Sequence, residues 1–588
     1  MENEINTFSN KIISDDIQLL PPPESLTNIY NINVGILGHV DSGKTSLSKI
    51  LSSISSTASF DKNPQSKERG ITLDLGFSAF YIETPKKFKN DDNNNVKLKN
   101  SNYIQFTLVD CPGHASLIKT IISGANIIDT FILVIDAVKG IQVQTVECLI
   151  LGEILCDDIT VVMNKIDLIK DDENFEKKAE KLKNGLRNKT KFKNLEVIHF
   201  SCLSNNNENN NNNIIDKNIQ IKKIIANILN TINFNVENNN NNNNKDFMAY
   251  IDHSFKIKNK GTIITGTVII GSIKINDEIY FPELSDKKTI KEIQIFKKNV
   301  NEANKGDRVG ILLKNFDSNI KIERSIICNP NNKNILYSEG GVFLIKKIRL
   351  YKNDLTSNNK YYLMIGNQGV NAKILFFNNI NNNIDIKDIK NVNVNEILKN
   401  FYDIEYNYIE NINIDDNNNY YYAFIKFDKK IIIPFNMIFL GSKIDIDISE
   451  KKDRLAFYGK IIDNYNNNNN IYNKLKIFKN KFKEGKILRI DNNNENIIIA
   501  KGLFKKENNF LIKDYIGKEV YIKEDKDKKY IGKILSSFGQ TGKLKIEFNT
   551  KLNDNNIKLK NENGEEILDY KNYTIIMEYK KYIKLDKI

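Results

Sequence analysis

Five short clusters of residues carry the chemistry open to this chain of 588 residues. The first is Gly38-x-x-x-x-Gly43-Lys44-Thr45. Gly38 and Gly43 let backbone N–H groups close around phosphate oxygens, and Asp41 and Ser42 complete the loop. Lys44 can reach β- and γ-phosphate oxygens, and the Thr45 hydroxyl can ligate Mg²⁺. Taken alone, the match competes with a plain glycine turn before a helix. The second cluster is Arg69-Gly70-Ile71-Thr72, with Thr72 as a further Mg²⁺ ligand. The third is Asp110-Cys111-Pro112-Gly113-His114. Asp110 would act on Mg²⁺ through a water, the Gly113 N–H would reach the γ-phosphate, and His114 would position the attacking water. The competing reading of His114 is a loop histidine without a role. The fourth and fifth clusters, Asn164-Lys165-Ile166-Asp167 and Ser201-Cys202-Leu203, select the base. Asp167 can accept from guanine N1 and N2, a donor pair that adenine lacks. Asn164 fixes the O6/N7 side, the Lys165 stem lies along the base, and Ser201 holds its loop over O6. Together these clusters are the motif set of a GTPase using GTP/GDP and Mg²⁺.

The elements that must position these residues follow from apolar patterning. Apolar runs at 34–37, 105–109, 131–135, 159–163 and 195–200 read as strands, and helical patterns lie between them. That alternation predicts an α/β domain, and the first, third, fourth and fifth clusters follow a strand's carboxyl end, where open α/β sheets bind ligands. The helix of the first cluster is expected over 45–52. Val40 and Ile71 are candidate apolar neighbours gating His114, against ordinary packing. From 246 to 450 the pattern changes to short β-branched strands with glycine and Asn-Asp turns, the signature of small antiparallel barrels. The last segment repeats the habit, with strands expected near 497–500, 519–523, 529–535 and 543–548. The expected organisation is a flexible leader (1–30), a P-loop α/β G domain (31–245), β-barrels at 246–333 and 334–460, and a basic β-rich domain (461–588). Asparagine runs at 93–95, 205–213, 238–244, 417–419 and 466–470 read as loop insertions.

Apolar residues make up 40% and charged residues 27%, which suits globular domains. No apolar run is long enough to span a bilayer, and the polar start lacks a signal pattern. Five cysteines without a CxxC pair argue against a disulfide frame or a zinc site. The net charge of +13 is concentrated: residues 451–588 hold 31 Lys+Arg and 19 Asp+Glu, a net of +12. Such asymmetry points to RNA contact by the last segment, against a solvated lysine-rich surface.

The motifs GHVDSGKT, RGIT, DCPGH and NKID resemble those of translational GTPases of the elongation factor Tu class. A narrower resemblance lies in DKNPQSKERGITLDLGFSAF (61–80), which is similar to the switch segment of the selenocysteine-specific elongation factors of eukaryotes and archaea. It continues through DHSFKIKNKGTIITGTVIIGSIKINDEI (252–279), KKNVNEANKGDRVGILL and ERSIICNP (297–330), RLAFYGKI, GLFKKE and SSFGQTGKLKI. The resemblance implies a pocket for the esterified amino acid formed by Asp252, His253 and Arg308. A selenol is a stronger acid than a thiol, whose reference pKa is about 8.5, so selenocysteine would bind as an anion. Serine brings no anion. The competing reading pairs Asp252 with Arg308 as a structural ion pair. The resemblance further implies selenocysteinyl-tRNA and the ribosome as partners, and the selenocysteine-insertion RNA element reached through an adaptor protein. A monomer, a cytoplasmic location and no membrane contact complete the expectation. A general elongation factor, an initiation GTPase and an RNA-binding protein without significant turnover are the alternatives.

Overall fold

The structure is a computed structural model. It describes residues 12–24, 28–55, 75–90, 96–111, 127–169, 175–192, 195–202, 217–232, 234, 247–257, 261–316, 320, 322, 324–330, 335–379, 386, 389–413, 419–434, 437–443, 454–465, 471–491, 494–505, 512–524, 528–539, 542–548, 559–560, 566–567 and 573–587. Ile71, Thr72, Gly113 and His114 lie outside the described residues. So do the asparagine runs at 93–95, 205–213, 238–244 and 466–470, and that at 417–419 apart from Asn419.

The chain divides into two compact units. The first comprises 1–376, 384–399 and 410–471, and it opens with a sheet of eight strands. Its central strand, Ile29–Gly38, lies between Tyr103–Asp110 and Thr130–Asp136, parallel to both. Thr160–Asn164 and Val197–His199 continue the parallel part, and Gly76–Glu83 adds an antiparallel edge. Thr130–Asp136 is buried at every position, as expected where helices cover both faces of a parallel sheet. Helix Lys217–Thr231 supplies such a cover, burying Ile221, Ile224, Ile225, Ile228 and Leu229 at helical spacing.

The loose leader expected over 1–30 is corrected for residues 12–20. Ile12 and Ile17 are buried in the G-domain core. The Asn230 side chain accepts from Ile12 N–H and donates to Ile12 C=O, both at 2.9 Å. Leu19–Leu20 then pairs antiparallel with Gly76–Glu83. A few apolar residues without periodicity suffice to cover a sheet edge, which otherwise offers unpaired backbone groups.

The first barrel closes as a ring of six strands: Glu278–Phe281, Ser325–Cys328, Met248–Ile257, Gly261–Ile270, Arg308–Leu313 and Asp286–Ile295, the last pairing back to the first. Its core is isoleucine-rich, including Ile264, Ile279, Ile290, Ile293 and Ile311. The second ring comprises Ile335–Lys347, Tyr420–Pro434, Gln368–Asn378, Lys360–Ile365, Ile438–Ser442 and Leu455–Tyr465. This barrel is fastened to the G domain by Arg454, whose Nε and Nη2 each donate at 3.0 Å to the carboxylate of Glu147 on helix Val143–Leu155. Both side chains are about 7% exposed, so this is a buried, bidentate ion pair.

The second unit comprises 377–383, 400–409 and 472–588. It holds a third six-stranded ring: Lys476–Asp491, Asn494–Lys501, Lys543–Phe548, Lys528–Phe538, Glu519–Glu524 and Thr574–Tyr582, the last pairing with the first. Ile498, Val520, Ile522, Ile534, Leu544, Ile546 and Ile575 fill it. Glu405–Ile409 runs parallel to the start of Lys476–Asp491, which is why 400–409 belongs to this unit. Among the described residues no helix is long and apolar enough to cross a membrane.

Candidate functional site

The nucleotide cleft is built on strand ends. The central strand stops at Gly38 (φ +149°), where a Cβ would meet Val134 C=O at 2.3 Å. Gly43 (φ +95°) precedes helix Lys44–Leu51, and a Cβ there would lie 2.0 Å from Asn164 Nδ2. Both turns therefore require glycine, one for close strand packing and one for the approach of the Asn164 side chain. Asn164 Nδ2 donates to Ser42 C=O at 2.8 Å, so one side chain ties the loop of the first cluster to that of the fourth. Asp41 sits at φ +60° beside them.

Lys44 is buried, and its Nζ donates to His39 C=O at 2.7 Å, curling the lysine over its own loop. Burial pulls its pKa down, and the nearby Asp110 carboxylate opposes that pull. Thr45 Oγ1 donates to Asp110 Oδ2 at 2.6 Å, and Asp110 is fully buried at the end of its strand. A hydroxyl and a carboxylate side by side are hard oxygen donors of the kind Mg²⁺ takes, with waters and phosphate completing its shell. Among the described residues no cluster of three or more His, Cys, Asp or Glu could hold a metal, so such an ion would rely on those outside ligands. Cys111 and Cys148 are buried nearby, and burial pushes the Cys148 thiol up to about 12, which makes it inert.

Ser201 Oγ donates to Asp167 Oδ1 at 2.5 Å, joining the fourth and fifth clusters. Lys165 adopts a left-handed backbone (φ +64°), and its Nζ reaches Asp136 Oδ2 at 2.8 Å. Sequence reasoning gave Asp136 no role. It ends the strand Thr130–Asp136, and its Oδ1 accepts from the N–H groups of Val138 and Lys139. Burial works against its charge, yet these hydrogen bonds and Lys165 hold its pKa below the usual carboxylate value. The signal that could have found it is the one that marks Asp110: an apolar run ending in Asp.

Arg308 opens a strand of the first barrel and is 4% exposed. It is ion-paired with Asp252, and its Nη1 also donates to Thr267 Oγ1 at 3.3 Å. Its guanidinium carbon lies 3.7 Å from the ring centroid of Phe77, on the G-domain strand Gly76–Glu83. Among the described residues its Nη2 has no hydrogen-bond partner. Asp252 is the extra residue of a β-bulge, because His253 faces Thr265 while Ile251 faces Gly266. Bulges re-aim side chains, and no residue type marks this one in the sequence. His253 is exposed, and among the described residues no hydrogen bond joins it to Asp252 or Arg308. The structure thus joins two of the three predicted pocket residues and adds Phe77 and Thr267. Thr72, Gly113 and His114 fall outside the described residues.

Family comparisons match this architecture. The model for the elongation factor Tu GTP binding domain matches residues 30–249, and that for elongation factor Tu domain 2 matches 261–323. The third domain of eukaryotic selenocysteine-specific elongation factors matches 342–459, and the eEFSec C-terminal RIFT domain matches 473–587. A P-loop G domain followed by these barrels defines a translational GTPase of the elongation factor Tu class. The chain is 33% identical over 541 residues to the selenocysteine-specific elongation factor of Mus musculus, covering 88% of each chain. It is 29% identical over 528 residues to that of Methanocaldococcus jannaschii, covering 89% of this chain and 95% of the relative. Elongation factor SelB from Methanococcus maripaludis, in complex with the GTP analogue GppNHp, superposes with a TM-score of 0.64 at 26% identity, covering 94% of this chain and 99% of the other. The chain belongs to the selenocysteine-specific elongation factor family.

Proposed function

We propose that this GTPase binds selenocysteinyl-tRNA in its GTP state, carries it to the ribosome at UGA codons and hydrolyses GTP there. Gly38, Asp41, Ser42, Gly43 and Lys44 hold the phosphates, and Asn164, Lys165, Asp167 and Ser201 read guanine. Mg²⁺ would be held through Thr45, Thr72 and a water on Asp110; it would neutralise charge on the β- and γ-phosphates. Gly113 would sense the γ-phosphate and His114 would orient the attacking water. The fit rests on the two glycine turns, the buried Lys44 and the paired oxygens of Thr45 and Asp110. Asp252, His253 and Arg308 form the aminoacyl pocket in this reading.

One observation carries the selenocysteine part. Arg308 is a buried cation with an uncommitted terminal nitrogen, set between a carboxylate and an aromatic face. A selenolate would satisfy that nitrogen, whereas the neutral serine hydroxyl would add no charge. The ion pair with Asp252 does not compete with this role, since it holds the guanidinium in place. The selenocysteine-insertion RNA element is reached through an adaptor protein, and the factor works in the cytoplasm as a monomer. Filter binding of selenocysteinyl-tRNA, seryl-tRNA of the same species and an ordinary aminoacyl-tRNA, each with GTP and with GDP, tests the reading. Retention of selenocysteinyl-tRNA with GTP alone is expected. Equal retention of all three would overturn it.

A further inference from the structure

We infer that the third barrel carries an RNA-backbone site at its mouth, formed by Lys479, Lys481, Lys483 and Lys581 over a floor of tyrosines. Lys476–Asp491 and Thr574–Tyr582 pair without a bulge, so Lys479 stands directly opposite Lys581, Lys481 opposite Tyr579, and Lys483 opposite Met577. Alternation puts Lys479, Lys481 and Lys483 on one face with Lys581 and Tyr579. Further along, the same face carries Gly485, Ile487, Ile575 and Met577, all buried in the barrel. The lysine row is therefore where the inner face runs out past the apolar core.

The lysines are set on rings. Lys479 Nζ lies 3.7 Å from the Tyr408 centroid. Lys483 Nζ lies 3.8 Å from Phe504, 4.9 Å from Tyr515 and 5.3 Å from Tyr579. Tyr408, Tyr515 and Tyr579 are half-buried, so each still offers ring surface. Like charges directly opposite on paired strands are destabilising. Among the described residues no carboxylate forms an ion pair with Lys481, Lys483 or Lys581. The other face of the same strands differs. There Lys580 is ion-paired with Glu405, and Glu484 and Glu578 are present. One face is balanced, and on the other Lys481, Lys483 and Lys581 have no carboxylate partner among the described residues. A bound polyanion relieves that repulsion, and half-exposed tyrosines among lysines suit RNA, whose unpaired bases stack on aromatic rings. An acidic peptide or a sulfated polysaccharide would use the charges but not the rings. This deepens the reading that the basic segment contacts RNA by assigning the face and the mode.

The test uses the full-length protein and fluorescence anisotropy with labelled oligouridylate and with unacylated tRNA, across a salt series. Lys481→Ala/Lys581→Ala is expected to lower the log–log salt slope by roughly 0.7–0.9 for each phosphate left without its lysine. Tyr579→Leu is expected to weaken oligouridylate binding roughly 5- to 150-fold, the worth of one stacked base, with the slope unchanged. Lys580→Ala, on the balanced face, should leave the slope as it was. Without RNA, the double lysine variant should melt at or above the wild-type temperature, because repulsion has been removed. Lys481→Arg should keep the slope. Unchanged slopes, or an equal loss in Lys580→Ala, would overturn the site. So would heparin binding that depends on these lysines while RNA binding does not. If the wild-type protein binds selenocysteinyl-tRNA in filter assays but these variants change nothing, the site falls and the delivery role stands. If the wild type binds no RNA at all, both fall.

Discussion

Replacing Arg308 by alanine separates stability from selectivity, and the structure sets both magnitudes. The guanidinium is buried, stacked on Phe77, ion-paired with Asp252 and hydrogen-bonded to Thr267. A desolvated cation–π contact is worth about 2 kcal/mol. Breaking a buried ion pair by removing one partner costs about 3–5 kcal/mol. Here the Asp252 side chain is 24% exposed and regains water, so the combined cost should fall near the lower end, about 3 kcal/mol. Arg308→Ala should therefore lower the melting temperature by several degrees and remain folded at assay temperature. On binding, it removes a charge-assisted hydrogen bond worth about 1.5–3 kcal/mol, or roughly 10- to 150-fold in affinity for selenocysteinyl-tRNA. Seryl-tRNA should barely respond, and GTP affinity should hold. Arg308→Lys keeps the charge but loses the planar stack and should fall between. Filter binding with both tRNAs, paired with a thermal melt, reads the two quantities. A melt shift with an unchanged ratio between the tRNAs would refute the pocket and leave Arg308 as a purely structural residue.

Asp167→Asn should let xanthine nucleotides compete with guanine nucleotides in a displacement assay, and full retention of guanine preference would remove Asp167 from base reading. His114→Ala should leave GTP and tRNA binding nearly intact and cut ribosome-stimulated phosphate release on the order of 10²-fold, the scale of a missing general acid–base or positioning group. Phe77→Leu should narrow the selenocysteinyl-to-seryl ratio as Arg308→Lys does, whereas Phe77→Tyr should restore it; equal behaviour of the two would show that the ring face is irrelevant. Arg454→Ala should destabilise by about 3–5 kcal/mol, because Glu147 stays buried without its partner, while Glu147→Leu/Arg454→Met should be close to neutral. Denaturant melts that rank the double variant below the single one would contradict that account.

The arrangement of the candidate cleft was legible because each of its motifs is a short run whose spacing is itself the geometry. Gly38, Gly43 and Lys44 need only one turn, and the strand-then-motif order puts Asp110, Asn164 and Ser201 at one edge of the sheet. The pocket was half legible. Asp252 and Arg308 meet across paired strands, but the bulge at Asp252 and the stacking of Phe77 depend on register and on the approach of two domains. The two long strands of the third barrel, Lys476–Asp491 and Thr574–Tyr582, leave no clear mark in the sequence. Lysines run through the first and close the second, and the alternation is not clean, since the face that begins as core ends as a charged rim. The packed residues 12–20 are hidden for a simpler reason: covering an edge takes a handful of apolar side chains, too few to set up a period.

Closure of the third barrel has a consequence for the nascent chain. Its last strand, Thr574–Tyr582, pairs with Lys476–Asp491 on one side and with Glu519–Glu524 on the other. Until that strand leaves the exit tunnel, the ring stands open with two bare edges, and each is a template for wrong pairing. A message truncated shortly before codon 574 would yield a product with its G domain and first two barrels in place and a permanently open third. Such a product should retain guanine-nucleotide binding in isolation and yet be short-lived in the cell, removed by quality control rather than by any defect in its chemistry.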